Sequence, residues 1–520
     1  MNLFSRLLVS FVLLIWTLLA LVSLNHQFRF SELMVLPTAE GGALYLSALV
    51  ASLVYVSRNH RHETAVVFIV FVCIGWLTRP YLEPPGDPID HLGEAYSTCQ
   101  KSSDQIPRVN GGLWHYSMTG LLLCTDASKG TPPQAVLKKI RAIHSGMVGL
   151  LAAGIYAVAK AAGMPPFWSL FSVVLAFLFF GTNRFSFFSY YSFADSSSSL
   201  FVYWLWTAVF FFRKKRDDFS GGMGIVAVVI LFPVLYVNHI QEALFLALIA
   251  LVWLVITASE AVLANQNKML NWVFFGTLFL VFFVLPQFQS FQDLLAKYFI
   301  INNWGKNQAL LVTAGPLHLM GKIWSYRISD TLGLMGFLAV PAAILLLALA
   351  QNEPNRYRVA IVGILPFLVY CLPLLNFIWL SNCKWLPTHT RYYYRMCYSS
   401  MFWVSISYLF FMIEQRLQHL LVRTADHGDR SGTLKGLLIK KYSILVLTGF
   451  FCLAAVRSGP VYGKLDFLTI KTNPWWPRWR PMIEAIHQQP QSKTTNTDVM
   501  TRYVLKSVFN YPVYPNYIRK

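Results

Sequence analysis

The stretch YSFADSSSSLFVYWLWTAVFFFRKKR, residues 191–216, opens near an acid, Asp195, runs through the apolar block 200–212 and closes on Arg213, Lys214, Lys215 and Arg216. A block with no polar face suits hydrocarbon or a protein interior rather than water. The closing cations would meet lipid headgroups, and positive residues in short connections are retained on the cytoplasmic side of a membrane. Asp195 then stands at the outer mouth of the helix, where it serves either as an N-cap or as a site residue.

Apolar blocks of the same kind recur along the chain. Of 520 residues, 56% are hydrophobic, 16% aromatic and 13% charged, a balance that would demand an improbably large core from a water-soluble protein. The blocks fall at 7–24, 43–56, 65–77, 147–158, 168–180, 200–212 and 224–237, then at 243–256, 272–285, 332–347, 361–375, 402–412 and 444–455. Backbone polar groups in lipid must be satisfied within the segment, which selects helices. The expectation is therefore an all-α integral membrane fold with about thirteen transmembrane helices across a hydrocarbon core about 30 Å thick. Residues 1–455 would form this polytopic domain, with a long outer loop at 78–145. Residues 456–520 would form a short outer-face cap, whose NPWWPRWRPM segment suits a membrane interface. The block 7–24 follows only Arg6 and lacks a small-x-small cleavage site, so it reads as a retained anchor.

The formal charge of +20 raises the question of nucleic acid, but the basic residues sit in connections between apolar blocks. There they would meet headgroups and anionic substrates, so nucleic acid is not an expected partner. The seven cysteines show no metal-binding spacing. Cys73, Cys371 and Cys452 lie in apolar runs as small hydrophobes. Cys99 and Cys124 share a polar connection, where they would pair only in an oxidising compartment.

With the N-terminus inside, the basic connections SRNHRHE from Ser57, RKKRDD from Arg213, QNEPNRYR from Gln351 and 414–441 all face the cytoplasm. Four polar clusters then share the outer side. The first, EPPGDPIDHLGEAY at 83–96, carries Asp87, Asp90, His91 and Glu94; a helix starting near Pro88 would be capped by Asp87 and would align the other three on one face. These groups are either a cap with solvated neighbours, or a base for an attacking hydroxyl, or a pair holding a divalent cation such as Mg or Mn. The second is Asp195 itself. The third, YVNHIQEALF, offers His239 and Glu242 in a short turn after Asn238, as a salt bridge or as the lining of a wet cavity. The fourth, THTRYYYRM, combines His389, Arg391, Tyr392 and Arg395, where guanidinium forks match phosphate oxygens or else snorkel to headgroups.

In its order of motifs the chain resembles the GT-C superfamily of polytopic glycosyltransferases, which use lipid-linked sugar donors. Those enzymes carry an acid motif in the first large outer loop; Asp87, His91 and Ala95 match its spacing, with Pro88 in place of the usual second acid. KKIRAIHSGMVGLLAAGIYAVAKAAG resembles their next helix through Arg141, Ser145, Gly149 and Tyr156, and THTRYYYRM resembles their late Arg-Tyr segment.

The resemblance implies an inverting glycosyltransferase that moves a sugar from a polyprenyl-phosphate donor to a hydroxyl of a glycan, lipid or protein. The site would face the periplasm from a bacterial inner membrane. Asp87 would be the base, with Asp90 orienting the acceptor or sharing a metal. Arg391, helped by Arg395 or Arg141, would stabilise the phosphate. His91, Glu94, Asp195, His239, Glu242, His389 and Tyr392 would line the substrate site. The rival readings are a transporter or flippase of lipid-linked sugars, an O-antigen ligase or polymerase with the same donor side, and a noncatalytic scaffold.

Overall fold

Long runs of Leu, Val, Ala and Phe favour helix wherever neighbouring helices or lipid can take up their side chains. A computed structural model of the chain describes residues 3–28, 38–77, 133–179, 181–182, 185–186, 198–199, 201–202, 204–206 and 221–238; single positions between 243 and 280; and residues 342–349, 358–360 and 399–425. The elements are α1 (Leu3–Phe28), α2 (Thr38–Val56), α3 (Arg61–Leu77), α4 (Pro133–Ala161), α5 (Pro166–Phe179), the two-residue strands β1 (Gly181–Thr182) and β2 (Phe185–Ser186), α6 (Gly221–Asn238) and α7 (Ser399–Ala425). The chain divides into two compact units, one of Met1–Leu178, Asn183–Leu248 and Phe451–Lys520, the other of Phe179–Thr182 and Ile249–Phe450.

The expected fold, all-α with about thirteen membrane helices, is not what the described residues show. Among them only Leu7–Asn25 and Arg141–Ala161 are long and apolar enough to cross a membrane. Glu40–Val56, Pro166–Ala176 and Val228–Asn238 are shorter apolar helices. The correction has a physical reason. Most of the apolar blocks are well under the ~20 residues of a span, and a run of 10–14 fits a core helix at least as well. Arg141–Ala161 itself is mostly buried by protein, as the core helix of a soluble protein would be. α7 makes the same point differently. Its apolar start carries straight on through Glu414, Gln415, Arg416 and Gln418, strong helix formers, into what the charge pattern assigns to a loop.

In the first unit, α1 packs on α2 and α6, and α4 packs on α2 and α3. α3 and α4 run antiparallel: Glu63 meets Tyr156 and Lys160 at one end, and Trp76 meets Arg141 at the other. Small residues let the two backbones approach. A Cβ on Gly75 would lie 2.9 Å from the Ser145 Cα, and one on Gly149 would lie 2.5 Å from the Val72 Cγ2 and 3.0 Å from the Phe68 carbonyl oxygen. Gly154 admits Phe201 in the same way, at 2.8 Å. Trp16 fills the α1–α2 contact, donating from Nε1 to the Ser52 Oγ at 2.8 Å and meeting the Tyr45 ring edge-on at 6.3 Å. Several hydroxyls in these apolar helices bond the carbonyl four residues back, as Ser23 does to Leu19, Ser57 to Leu53 and Ser145 to Arg141. That local bond satisfies a buried hydroxyl without a distant partner.

α4 ends in a tight reversal. Gly163 adopts φ 95°, its N–H donates to the Lys160 carbonyl, and the Met164 N–H donates to the Ala159 carbonyl. A left-handed glycine with these two crossed bonds closes a helix and satisfies its last carbonyls. Pro166, whose missing N–H costs nothing at a first helical position, then begins α5.

In the second unit, Ser405 of α7 donates to the Val359 carbonyl at 2.9 Å, and Arg416 Nε donates to the Leu349 carbonyl at 2.9 Å. Trp403 and Tyr408 are fully buried there.

The glycine contacts lead to a paired test. Gly149→Val should lower stability by about 1–3 kcal/mol, because its branches enter space already held by Val72 and the Phe68 backbone. Gly146→Ala, whose new Cβ meets nothing within 4 Å, should be neutral or stabilising by up to about 1 kcal/mol. Thermal unfolding of the two purified variants beside the parent protein checks both signs.

Candidate functional site

Of the side chains that the sequence singles out for chemistry, the structure describes Arg141. Asp87, Asp90, His91, Glu94, Asp195, His239, Glu242, His389, Arg391, Tyr392 and Arg395 lie outside the described residues, as do Cys99 and Cys124. α4 begins at Pro133, inside the stretch assigned to the outer loop, so Arg141 sits on a helix already under way.

Arg141 is held by Trp76, the next-to-last residue of α3. Its Nε donates to the Trp76 carbonyl at 2.6 Å, and its guanidinium carbon lies 4.9 Å from the Trp76 ring centroid. A guanidinium over an indole face gains about 0.5–2 kcal/mol, more as water is removed. The clamp links the end of α3 to the third turn of α4; in sequence, residues 78–132, with Asp87 and Asp90, lie between the two helices. His144 and Ser145, one turn further along α4, are fully buried.

The helix residues Ser198 and Ser199 meet Asn238 and Tyr45 in a buried polar node. Asn238, the last residue of α6, directs Nδ2 to the Ser199 Oγ at 2.5 Å, the Ser198 Oγ at 3.0 Å and the Tyr45 hydroxyl at 3.3 Å. Tyr45 in turn donates to the Ser198 Oγ at 3.1 Å. All four side chains have no solvent exposure. An amide donor surrounded by hydroxyls satisfies groups that would otherwise each cost about 1–3 kcal/mol in an apolar interior. In sequence the node is flanked by Asp195 on one side and His239 and Glu242 on the other. Tyr45 had no signal in the sequence, since its partners are remote and it lies in an ordinary apolar run.

A third constellation, missed by sequence reasoning, ties the other end of the α3–α4 pair. Glu63 accepts from the Tyr156 hydroxyl at 2.5 Å and lies 3.4 Å from the Lys160 Nζ. Lys160 is 8% exposed and Glu63 42%. The Tyr156 hydrogen bond, reinforced by the Lys160 charge, holds the Glu63 carboxyl below its ordinary value. Partial burial, then the positive charge of Lys160, lower the His60 ring against the opposing pull of Glu63. The acid in the first turn of α3 is a helix-start signal legible in the sequence, whereas its partners on α4 are not.

Arg141 and Tyr156 are fifteen residues apart on α4, about 22 Å along the helix. The pair is thus apolar in its middle and polar at both ends. Among the described residues no group of three or more His, Cys, Asp or Glu side chains comes together as a metal-binding set.

No family model matches the chain, and comparison with curated proteins and with solved structures finds no match.

Two outcomes follow from this geometry. Asn238→Ala should destabilise by about 2–4 kcal/mol, because it strips one donor from three buried hydroxyls; the drop in unfolding midpoint measures it. At the other end both titrations work in one direction. The lowered His60 favours the neutral ring in the fold, so stability falls as pH drops below its ordinary 6.5. The lowered Glu63 contributes stability above its ordinary 4.5, which is lost as pH falls through its folded value. Glu63→Gln keeps an acceptor for Tyr156 but loses the charge. It should cost no more than about 1 kcal/mol at pH 7.5, given the exposure of Glu63, and should flatten the acid limb of a plot of unfolding midpoint against pH.

Proposed function

We propose that the chain is a membrane-embedded glycosyltransferase that moves a sugar from a polyprenyl-phosphate donor to an acceptor hydroxyl at the outer face of a membrane. The acceptor is a glycan, lipid or protein, and the membrane is a bacterial cytoplasmic membrane with the site on its periplasmic side. The supporting observation is the clamp of Arg141 on Trp76, which sets a guanidinium at the root of the segment that carries Asp87 and Asp90. A cation held beside the last turn of α3, just before the stretch that carries Asp87 and Asp90 in sequence, suits a reaction that needs a base for one substrate and a counter-charge for the other.

A surface property supports the membrane setting. Leu7, Phe11, Leu14, Leu18 and Leu21 are exposed along one face of α1, and Val66, Ile69, Val70 and Trp76 along one face of α3. Continuous apolar faces of this length fit lipid better than water.

In the proposed reaction Asp87 accepts the proton of the acceptor hydroxyl, and Asp90 orients that hydroxyl. The oxygen attacks the anomeric carbon as the bond from that carbon to the phosphate oxygen breaks. The polyprenyl phosphate departs with the bonding electrons, and a guanidinium offsets its charge, the role proposed for Arg141. One displacement inverts the anomeric centre.

A transporter of lipid-linked sugars is the second reading, favoured by the buried node of Tyr45, Ser198, Ser199 and Asn238. Transporters build polar sites between helices in this way. Reconstituted protein given labelled donor separates the two, because transport moves the donor without forming a glycosidic bond. Asp87→Asn should insert normally and lose transfer by at least about a hundredfold. Normal transfer by this variant would remove Asp87 as the base.

A further inference from the structure

The turn between α2 and α3 is short and internally bonded. The Ser57 N–H donates to the Leu53 carbonyl, the His60 N–H to the Ser57 carbonyl and the Thr64 N–H to the His60 carbonyl, so hydrogen bonds carry from one helix into the next. From this turn the two helices lead away separately, each packing on α4 rather than along the other. Each keeps an apolar face in the open: Val50 and Val54 on α2, and Val66, Ile69 and Val70 on α3, all between 38% and 60% exposed. Both faces end on cations at the turn. Arg58 follows Val54 by four residues and stands over the Tyr55 ring at 5.6 Å, and the exposed Arg61 precedes the exposed Ala65 by the same step. Three cations, Arg58, Arg61 and Lys160, share this end of the unit with one carboxylate, Glu63, the only acid from Ser57 to Leu77. That carboxylate is engaged by Lys160 and by the Tyr156 hydroxyl.

We propose that the α2–α3 turn is a docking site for an anionic phospholipid, with its phosphate against Arg61 and its acyl chains on the apolar faces that lead away from the turn. The site rests on the membrane setting above and not on glycosyl transfer. Charge complementarity selects the occupant. An apolar face alone takes any lipid, whereas faces that end on Arg58 and Arg61 favour a headgroup of net negative charge. A zwitterionic headgroup brings a cation of its own to the same place and gains less. A soluble phosphate meets the same guanidinium but leaves Val66, Ile69 and Val70 in water, so the lipid rather than free phosphate is the ligand.

The test uses full-length protein in neutral detergent micelles, titrated with fluorescent phosphatidylglycerol and, separately, with phosphatidylcholine of the same chains and label. The parent protein should bind phosphatidylglycerol at least about fivefold more tightly, the worth of one cation near a headgroup, and the margin should shrink as salt rises. Arg61→Gln should weaken phosphatidylglycerol binding by about three- to tenfold and leave phosphatidylcholine within about twofold of the parent. Arg61→Lys keeps the charge and should stay within about twofold for both lipids. Ile69→Gln, at an exposed position, should weaken both. Equal affinity of the parent for the two lipids would overturn the site whether or not any variant folds. So would Arg61→Gln that binds like the parent, or an equal loss in Lys520→Gln, which removes the same charge elsewhere in the chain. Displacement of phosphatidylglycerol by inorganic phosphate would overturn the lipid as the ligand. Sugar transfer is read separately on the same preparations: lipid preference without transfer removes the glycosyltransferase reading and leaves this site standing, and transfer without preference does the reverse.

Discussion

The close approach of α3 and α4 governs what the first unit can do. Gly75 and Gly149 give up side chains so that two backbones can touch, and the contact they allow is too tight for a methyl group on either glycine. Backbones that near make dispersion contacts along their whole length, each small and together large. They also place the polar termini opposite one another without adjustment: Glu63 finds Tyr156 and Lys160, and Trp76 finds Arg141. Opening the helices would break both ends at once. The clamp at Trp76 is thus a consequence of glycines elsewhere as much as of its own chemistry.

Around that pair, the unit handles polarity in two ways. Single hydroxyls turn inward to the carbonyl four residues back, which needs no neighbour. The Asn238 node does the reverse and requires three separate segments to meet: α2, the residues around 198 and the end of α6. A hydroxyl bonded within its own helix is indifferent to where that helix sits. An amide shared among three segments is not, since any slip leaves a buried donor without an acceptor. The node therefore specifies arrangement, where the back-bonded serines only permit burial.

These distinctions explain which parts were legible beforehand. Helix locations follow from apolar runs, and α1, α2, α3 and α6 extend only a few residues beyond the blocks at 7–24, 43–56, 65–77 and 224–237. Apolarity does not say what surrounds a helix, and so the count of membrane spans failed: α4 passes every compositional test for a span and is covered mostly by protein. The extension of α7 was hidden for a related reason, because a charged tail reads as a loop until its helix propensity is weighed. At the site, Arg141 was reachable only through the resemblance of the stretch with Arg141, Ser145 and Gly149 to a glycosyltransferase helix motif. Its partner Trp76 was not, since nothing local links two residues sixty-five positions apart. The same holds for Tyr45 and Asn238, one hundred and ninety-three apart. Glu63 and Tyr156 were both in view, one as a loop charge and one as a motif residue, and only the fold makes them a pair.

The separation of α3 from α4 has a consequence for how the chain is made. α4 and α5 are joined by the turn at Gly163 and emerge from the ribosome almost together, but α3 must wait while residues 78–132 are added. At ordinary rates of synthesis that interval is on the order of 3–11 s, far longer than a helix needs to form. During it the groove at Gly75 and the carboxylate of Glu63 are complete but unmatched, a half-built interface of the kind that chaperones and insertion machinery shelter. Nascent-chain arrest would place this vulnerable window between the synthesis of Leu77 and that of Ala161, and changes that lengthen the intervening segment would widen it without touching any contact in the finished protein.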